Sequence, residues 1–520
     1  MNSPHPYRTS SRPRALLVIA LAPMIASFTI TMLTGPRDAG AAPPAIPLTA
    51  SDLDVMDHFG AHVAIENGIA VISSPNDDDA FSLSGSAYVF VRDQTNWIEQ
   101  KKLTASNPGE NDFFGTSVAI SFRTIVVGAP YNNDQGSAYV FVQNGTNWTQ
   151  QARFSAIGPR LDDTFGWSVA ISADTVLVGV PADEGPCPDR HCNTGSVYVF
   201  VRFHNNWVLQ EILTASDAQN RDQFGNVVAI DGNTAVIATS GTSRAVYVFV
   251  RNGTTWSQQA KLLPSDSGPG FGFDISIHRN TILIGAPFAN DVGNTAGKAY
   301  VFVRNGTNWT EQAQLFASNA ADFDLFGQTV SVNGNKALIG TLTGANNGNA
   351  AAYLFVRNGT NWTEQTILTA PTPGDDHFGQ SVALSGGTAL VGAPFKDNSG
   401  AAYVFPFNPA PQVNIDVVDA TASEPGTDSG QFRVRRTGNV AGALRVYYQV
   451  SGTATPGADY TPLRGFATIA PGKPEQLFRV NPIDNASPEP NETVRVTLLP
   501  DPGYEIGPGN QAQIVITDDD

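Results

Sequence analysis

The chain predicts an all-β fold, a seven-bladed β-propeller followed by an immunoglobulin-like β-sandwich. Three observations carry this. A Phe-Gly pair recurs at Phe59, Phe114, Phe165, Phe224, Phe271, Phe326 and Phe378, in steps of 47 to 59 residues. Each repeat holds four short runs rich in Val, Ile, Tyr and Phe, bounded by Gly, Pro, Asn or Asp, which are strand signals. A period near fifty filled with strands marks a blade architecture. After Pro406 the repeat stops, and roughly a hundred residues of short alternating strands follow, the pattern of a sandwich.

Residues 1–41 read as a signal peptide. Arg8, Arg12 and Arg14 precede an apolar run from Ala15 to Leu33, and Ala39-Gly40-Ala41 offers small residues for cleavage. The run is long for a signal, so a membrane anchor is the alternative, although Pro23 and the polar residues inside it oppose a stable span. No other segment reaches the roughly 18 to 20 apolar residues of a membrane helix, and no membrane insertion is expected after cleavage. The formal charge is −17, and removing residues 1–41, with four Arg and one Asp, leaves about −20. Such a surface repels nucleic acid and anionic lipid and suits cations. A monomer is expected.

The propeller is expected over residues 46–407. In the second repeat the order is Asp112-Phe113-Phe114-Gly115, Ser117-Val118-Ala119-Ile120, Ile125-Val126-Val127-Gly128-Ala129-Pro130, then Ala138-Tyr139-Val140-Phe141-Val142 and Trp148. Tyr-Val-Phe-Val places apolar residues on both strand faces, as a sheet sandwiched between neighbours requires. The Asn-Gly pairs at Asn144, Asn252, Asn305 and Asn358 are expected to supply the positive φ angles of two-residue hairpin turns. An Asp two residues before Phe, in six copies, is expected to cap the turn that presents Phe-Gly. Trp at 97, 148, 207, 256, 309 and 362 would cover a blade flank.

Seven Tyr-Val-Phe segments, the sixth with Leu354 replacing Val, are followed by only six Trp strands. Pro47-Leu48-Thr49-Ala50 matches the tail of the Trp strand in other copies, so the N-terminal strand is expected to complete the seventh blade and remove a sheet edge.

Cys187 and Cys192 are the only cysteines. Their spacing suits a local disulfide in an oxidising compartment. With His191 beside them, a redox or metal role is the alternative.

With Gly-Ala-Pro intact at Gly128, Gly285 and Gly392, residues 46–407 resemble the FG-GAP repeats of integrin α propellers. Metal in the blades is left open by this resemblance. The loops after Gly-Ala-Pro read Asn76-Asp77-Asp78-Asp79, Asn132-Asn133-Asp134, Asn290-Asp291 and Lys396-Asp397-Asn398. Turn chemistry alone accounts for Asn and Asp there.

Asn408-Pro409-Ala410-Pro411 reads as a stiff linker, and the sandwich is expected over 412–520. Its motifs are Ser423-Glu424-Pro425-Gly426, Gly452-Thr453-Ala454-Thr455-Pro456-Gly457-Ala458-Asp459-Tyr460, Pro482-Ile483-Asp484, Glu489-Pro490-Asn491-Glu492-Thr493 and Ile516-Thr517-Asp518-Asp519-Asp520. They resemble the Calx-β domain. The resemblance implies calcium ligands at Glu424, Asp459, Asp484, Glu489, Glu492, Asp518, Asp519 and Asp520. Calcium favours six to eight oxygen donors, so acids converging from strand ends suit it. Asn485 departs from the pattern, since calcium-binding members often carry a second Asp there.

No Gly-x-Ser-x-Gly, His-Glu-x-x-His or P-loop motif occurs, and His58 and His377, before Phe-Gly, read as turn residues. The expectation is a secreted or cell-surface, non-enzymatic binding or adhesion protein. Its propeller loops would meet an extracellular protein or glycan ligand. The alternatives are a propeller enzyme acting on polysaccharide and a structural envelope component.

Overall fold

The computed structural model describes residues 42–93, 96–158, 163–184, 192–241, 244–342, 350–372, 374, 376–407, 411–424, 428–438, 440, 443–484, 488–501 and 504–518. The signal segment, Cys187, His191, Asp519, Asp520 and most of the 408–411 linker lie outside these residues.

Each repeat forms one four-stranded antiparallel sheet. Blade 2 shows the pattern, with Ser117–Ser121, Thr124–Ala129, Ser137–Asn144 and Asn147–Phe154 as its four strands in order. The first strands of successive blades are neighbours, and Ser381–Ser385 of blade 7 returns to Val63–Glu66 of blade 1, so the ring closes. Blade 7 takes its fourth strand from the N-terminus: Ile46–Leu48 pairs antiparallel with Ala401–Pro406, in the register Ile46↔Val404 and Leu48↔Ala402.

The repeated residues work at blade boundaries. The Phe ring is buried and meets its own blade's third strand edge-on; Phe114 lies 5.4 Å from the Tyr139 ring and 6.0 Å from Phe141. The glycine after it approaches the preceding blade. A Cβ on Gly128 would stand 1.9 Å from the Gly166 carbonyl oxygen, and one on Gly392 would stand 2.0 Å from that of Gly60. Only a residue without Cβ fits. The two glycines of Phe-Gly and Gly-Ala-Pro are therefore the two sides of one contact.

The Asp before Phe caps as expected in four blades. Asp112 accepts the Gly109 N–H at 2.6 Å, and Asp57, Asp222 and Asp324 accept the N–H three residues back at 2.7–2.8 Å. The residue between Asp and Phe is left-handed in six blades, with φ of 51–59°. His58 and His377 occupy that turn position. Trp reaches across the boundary as well: Trp148 Nε1 donates to Gln100 at 2.8 Å and Trp207 Nε1 to Gln151 at 2.9 Å.

One expectation about the outer hairpins is corrected. Asn144 pairs with Asn147, leaving Gly145-Thr146 as the two-residue loop. Gly145, Gly253, Gly306 and Gly359 take φ of 63–64°, whereas the preceding Asn remains in the strand. Glycine thus comes first in the turn, an arrangement that also matches strand twist.

The C-terminal module is a two-sheet sandwich. One sheet runs Glu475–Val480, Gly430–Thr437, Gln412–Asp419 and Glu505–Ile506, and the other Thr421–Ser423, Gln511–Thr517, Glu492–Leu498, Leu444–Gly452 and Phe466–Ile469. Alternate residues turn inward, and Val413, Ile415, Phe432, Val434, Val446, Val494, Val496, Ile514 and Ile516 form the core. This inward alternation leaves the strand ends free to carry acids.

Candidate metal centre

Asp459 sits at the end of a tight turn. Its N–H donates to the Thr455 carbonyl at 3.0 Å, and its carboxylate accepts the Thr455 N–H at 2.5 Å. The next residue, Tyr460, is buried in the core, and the Ile483 N–H donates to the Asp459 carbonyl at 3.0 Å. The turn is therefore fixed on both sides, with Asp459 buried at 6% exposure. Glu492 opens the strand Glu492–Leu498 and pairs with Ile516. Glu489 precedes that strand, and its N–H donates to the Asp518 carboxylate at 2.5 Å. Glu424 is buried, and its N–H donates to the Thr517 carbonyl at 3.1 Å.

One carboxylate oxygen from each of Asp459, Glu489 and Glu492 lies within 4.8 Å of the others. Burial first, then a hydrogen bond to Asp459 and the charges of Asp459, Glu489 and Glu424, push the Glu492 carboxyl up to about 7. Anions this close need a proton or a cation between them. The donors are all carboxylates, a hard set that fits calcium and lacks the thiolate or imidazole of a typical zinc site.

Of the sequence-derived ligands, the structure brings Asp459, Glu489 and Glu492 together, with Asp518 joined through the Glu489 N–H. Glu424 acts on Glu492 through its charge. Asp484 is exposed and lies outside the three-residue group. Cys192 is buried and disulfide-bonded.

In the propeller the loop acids are met by internal cations. Asp77 accepts from Ser86 Oγ at 2.8 Å and Tyr88 Oη at 2.9 Å, and pairs with Lys102 at 2.7 Å. Lys102 also reaches Asp52 at 2.9 Å and Asp79 at 2.5 Å. Lys298, 1% exposed, lies between Asp266 at 2.5 Å and Asp291 at 2.8 Å. In blade 2, Arg153 donates to Asn132 at 2.9 Å. Sequence reasoning missed these cations. For Lys102 and Arg153 the signal was the basic residue just before the last apolar position of the outer strand, repeated at Lys261; Lys298 opens the third strand of its blade and lies outside that pattern.

Seven four-stranded blades closed by the N-terminal strand, with paired glycines at five of their boundaries, define a repeat propeller, and an acid-tipped sandwich accompanies it. The model of the FG-GAP repeat matches residues 46–90, 97–141, 148–200, 207–249, 256–302, 309–355 and 362–405, more than half of the sequence. The chain belongs to the FG-GAP repeat family, and residues 408–520 match the Calx-beta domain.

Among curated proteins, the sodium/calcium exchanger Calx of Drosophila melanogaster is 33% identical over 106 residues, which is 19% of this chain and 11% of the exchanger. The chain thus spans about a ninth of that relative's length. Among solved structures, the apo-form Calx CBD1 domain is 26% identical, covering 21% of this chain and 98% of its own, with a TM-score of 0.19. The calcium binding domain CBD12 of CALX1.1 is 28% identical, covering 21% of this chain and 45% of its own, with a TM-score of 0.18. Among the described residues, no helix is long and apolar enough to cross a membrane.

Proposed function

We propose that this is an exported or cell-surface recognition protein, with calcium bound by the sandwich and an extracellular protein or glycan met by the propeller loops. The convergence of Asp459, Glu489 and Glu492 in a Calx-beta domain carries the calcium reading. These three would hold the ion, with Glu424 and Asp518 beside them. The Calx-β resemblance adds Asp484, Asp519 and Asp520. Bound calcium would supply the positive charge that the cluster lacks and tie together the turn at Asp459, the segment at Glu489 and the strand at Glu492. The propeller contributes a rigid ring on which loops can vary without disturbing the blades.

The test is calcium titration of the full chain by calorimetry, with thermal unfolding and limited proteolysis run alongside. Calcium at about a hundred times Kd should add about 2.7 kcal/mol to the sandwich, a Tm rise of about 10–20 °C for a module of this size. Asp459→Asn and Glu492→Gln should abolish the rise. No calcium effect on Tm or on proteolysis of residues 408–520 would refute the reading. A glycan and protein binding screen, with calcium and then with chelator, tests the propeller. Turnover of a glycan would replace recognition with catalysis.

A further inference from the structure

The third strands of blades 3 to 6 carry, one residue before their end, an arginine that latches the ring. Arg202, Arg251, Arg304 and Arg357 each donate to the threonine opening the second strand of the preceding blade, at 2.6, 2.8, 3.3 and 3.1 Å. Each guanidinium also lies over its own blade's Trp, at 4.6–5.8 Å from the ring centroid. At the boundary between blades 1 and 2 both partners are replaced. Gln143 stands in place of the arginine and Ile69 in place of the threonine, and Gln143 donates to Gln100 instead.

A cavity of about 720 Å³ opens where that latch is missing, spanning the hairpin ends of blades 1 to 3. Its size falls within the range of small-molecule sites. Arg92, Arg123 and Arg202 line it, and Asp174 is the one acid among its lining residues. Asp174 lies 3.5 Å from Arg202 Nε. In a chain of net charge −17, this is a concave surface of the opposite sign.

Phe122 also lines this cavity. It is the first residue of the two-residue turn joining the first and second strands, a place filled by Gly232, Gly334 and Gly386 in other blades. Phe122 adopts φ 53° there and is 64% exposed. A bulky residue in the left-handed region is strained, and the ring gains little burial in return. The Glu66 carboxylate accepts the Phe122 N–H and holds the turn in place.

We propose that this cavity binds an anionic polysaccharide, one bearing carboxylate or sulfate on its sugar rings. Arg123 and Arg92 grip the anion, Arg202 supports it from the latch position, and Phe122 offers its face to the apolar side of a sugar ring. Guanidinium suits both anions because its fork matches their paired oxygens. The site lies at the opposite strand ends from the loops after Gly-Ala-Pro, so it goes beyond loop recognition and does not use the calcium centre.

The test uses the full chain and three immobilised polymers: a polyuronate, a sulfated dextran and neutral dextran. Saturable binding to either charged polymer but not to neutral dextran is expected, and which one binds identifies the anion. Binding should weaken steeply with salt. Arg123→Ala and Phe122→Gly should each weaken it at least tenfold. Phe122→Gly should leave Tm unchanged or raised, since it relieves strain, so lost binding cannot be ascribed to unfolding. Asn133→Ala, in a loop at the opposite strand ends, should bind as wild type. Equal binding to neutral dextran, no binding to either charged polymer, or unaltered binding by the two cavity variants would overturn the proposal. Loss confined to the loop variant would overturn it while leaving loop recognition standing.

Discussion

In the absence of metal the sandwich should become less stable as pH rises, the reverse of the usual behaviour of a paired carboxylate. Glu492 titrates at about 7 in the folded state against an ordinary value of 4.5. Between those values the folded protein binds the extra proton, so the Glu492 contribution to metal-free stability is fully present below pH 4.5 and is lost as pH climbs through 7. At 1.36 kcal/mol per unit the shift would amount to about 3 kcal/mol; Glu492 is partly exposed, and solvent screening reduces this to about 1 kcal/mol. Calcium should reverse the slope. The ion needs the deprotonated carboxylate, so apparent affinity should fall up to tenfold per pH unit below 7 as protons compete. The assay is scanning calorimetry of metal-stripped and calcium-saturated protein from pH 5 to 8, the sandwich transition being the one that calcium moves. Glu492→Gln should flatten the metal-free profile and raise its Tm at pH 8 by a few degrees. Parallel profiles for wild type and Glu492→Gln would show that Glu492 does not carry the repulsion.

Three further outcomes concern the propeller. Gly392→Ala puts a Cβ 2.0 Å from the Gly60 carbonyl oxygen, and this overpacking should cost about 3 kcal/mol, read as a lower propeller Tm; an unchanged Tm would mean that the boundary is loose. Deleting residues 46–50 exposes the edge of Ala401–Pro406 and should lower the propeller Tm and promote self-association, checked by light scattering. Lys298→Met leaves Asp266 and Asp291 facing each other without their ammonium; both carboxylates are about a third exposed or more, so solvent screening holds the cost to about 1 kcal/mol, whereas a chelator should leave the propeller transition in place.

Blade number, strand order and closure were all legible because they depend on local signals repeated seven times. Phe-Gly, Tyr-Val-Phe-Val and the Leu-Thr-Ala tail each report a short-range requirement, either a left-handed turn or a two-faced strand. The acids of the sandwich were legible as strand-end carboxylates, but Asp484 was not separable from Asp459 in sequence. Only the fixed turn at Asp459 and its link to Ile483 orient one toward Glu492 and leave the other exposed. The meeting of Gly128 with Gly166, and of Lys102 with Asp52, lies across blade boundaries or between distant loops. Such contacts leave no mark in a single copy of the repeat.

Closing the ring through Ile46–Leu48 has a consequence for the order of assembly. The first strand of the ring to emerge in synthesis pairs with Ala401–Pro406, the last strand of the ring to be made. Loop-closure entropy rises only slowly with length, so this distance adds little to the final cost, yet it delays the contact until every blade exists. A chain interrupted in any blade keeps an unpaired strand at its start. Closure therefore acts as a completeness check, and only a full set of seven blades conceals both ends of the array.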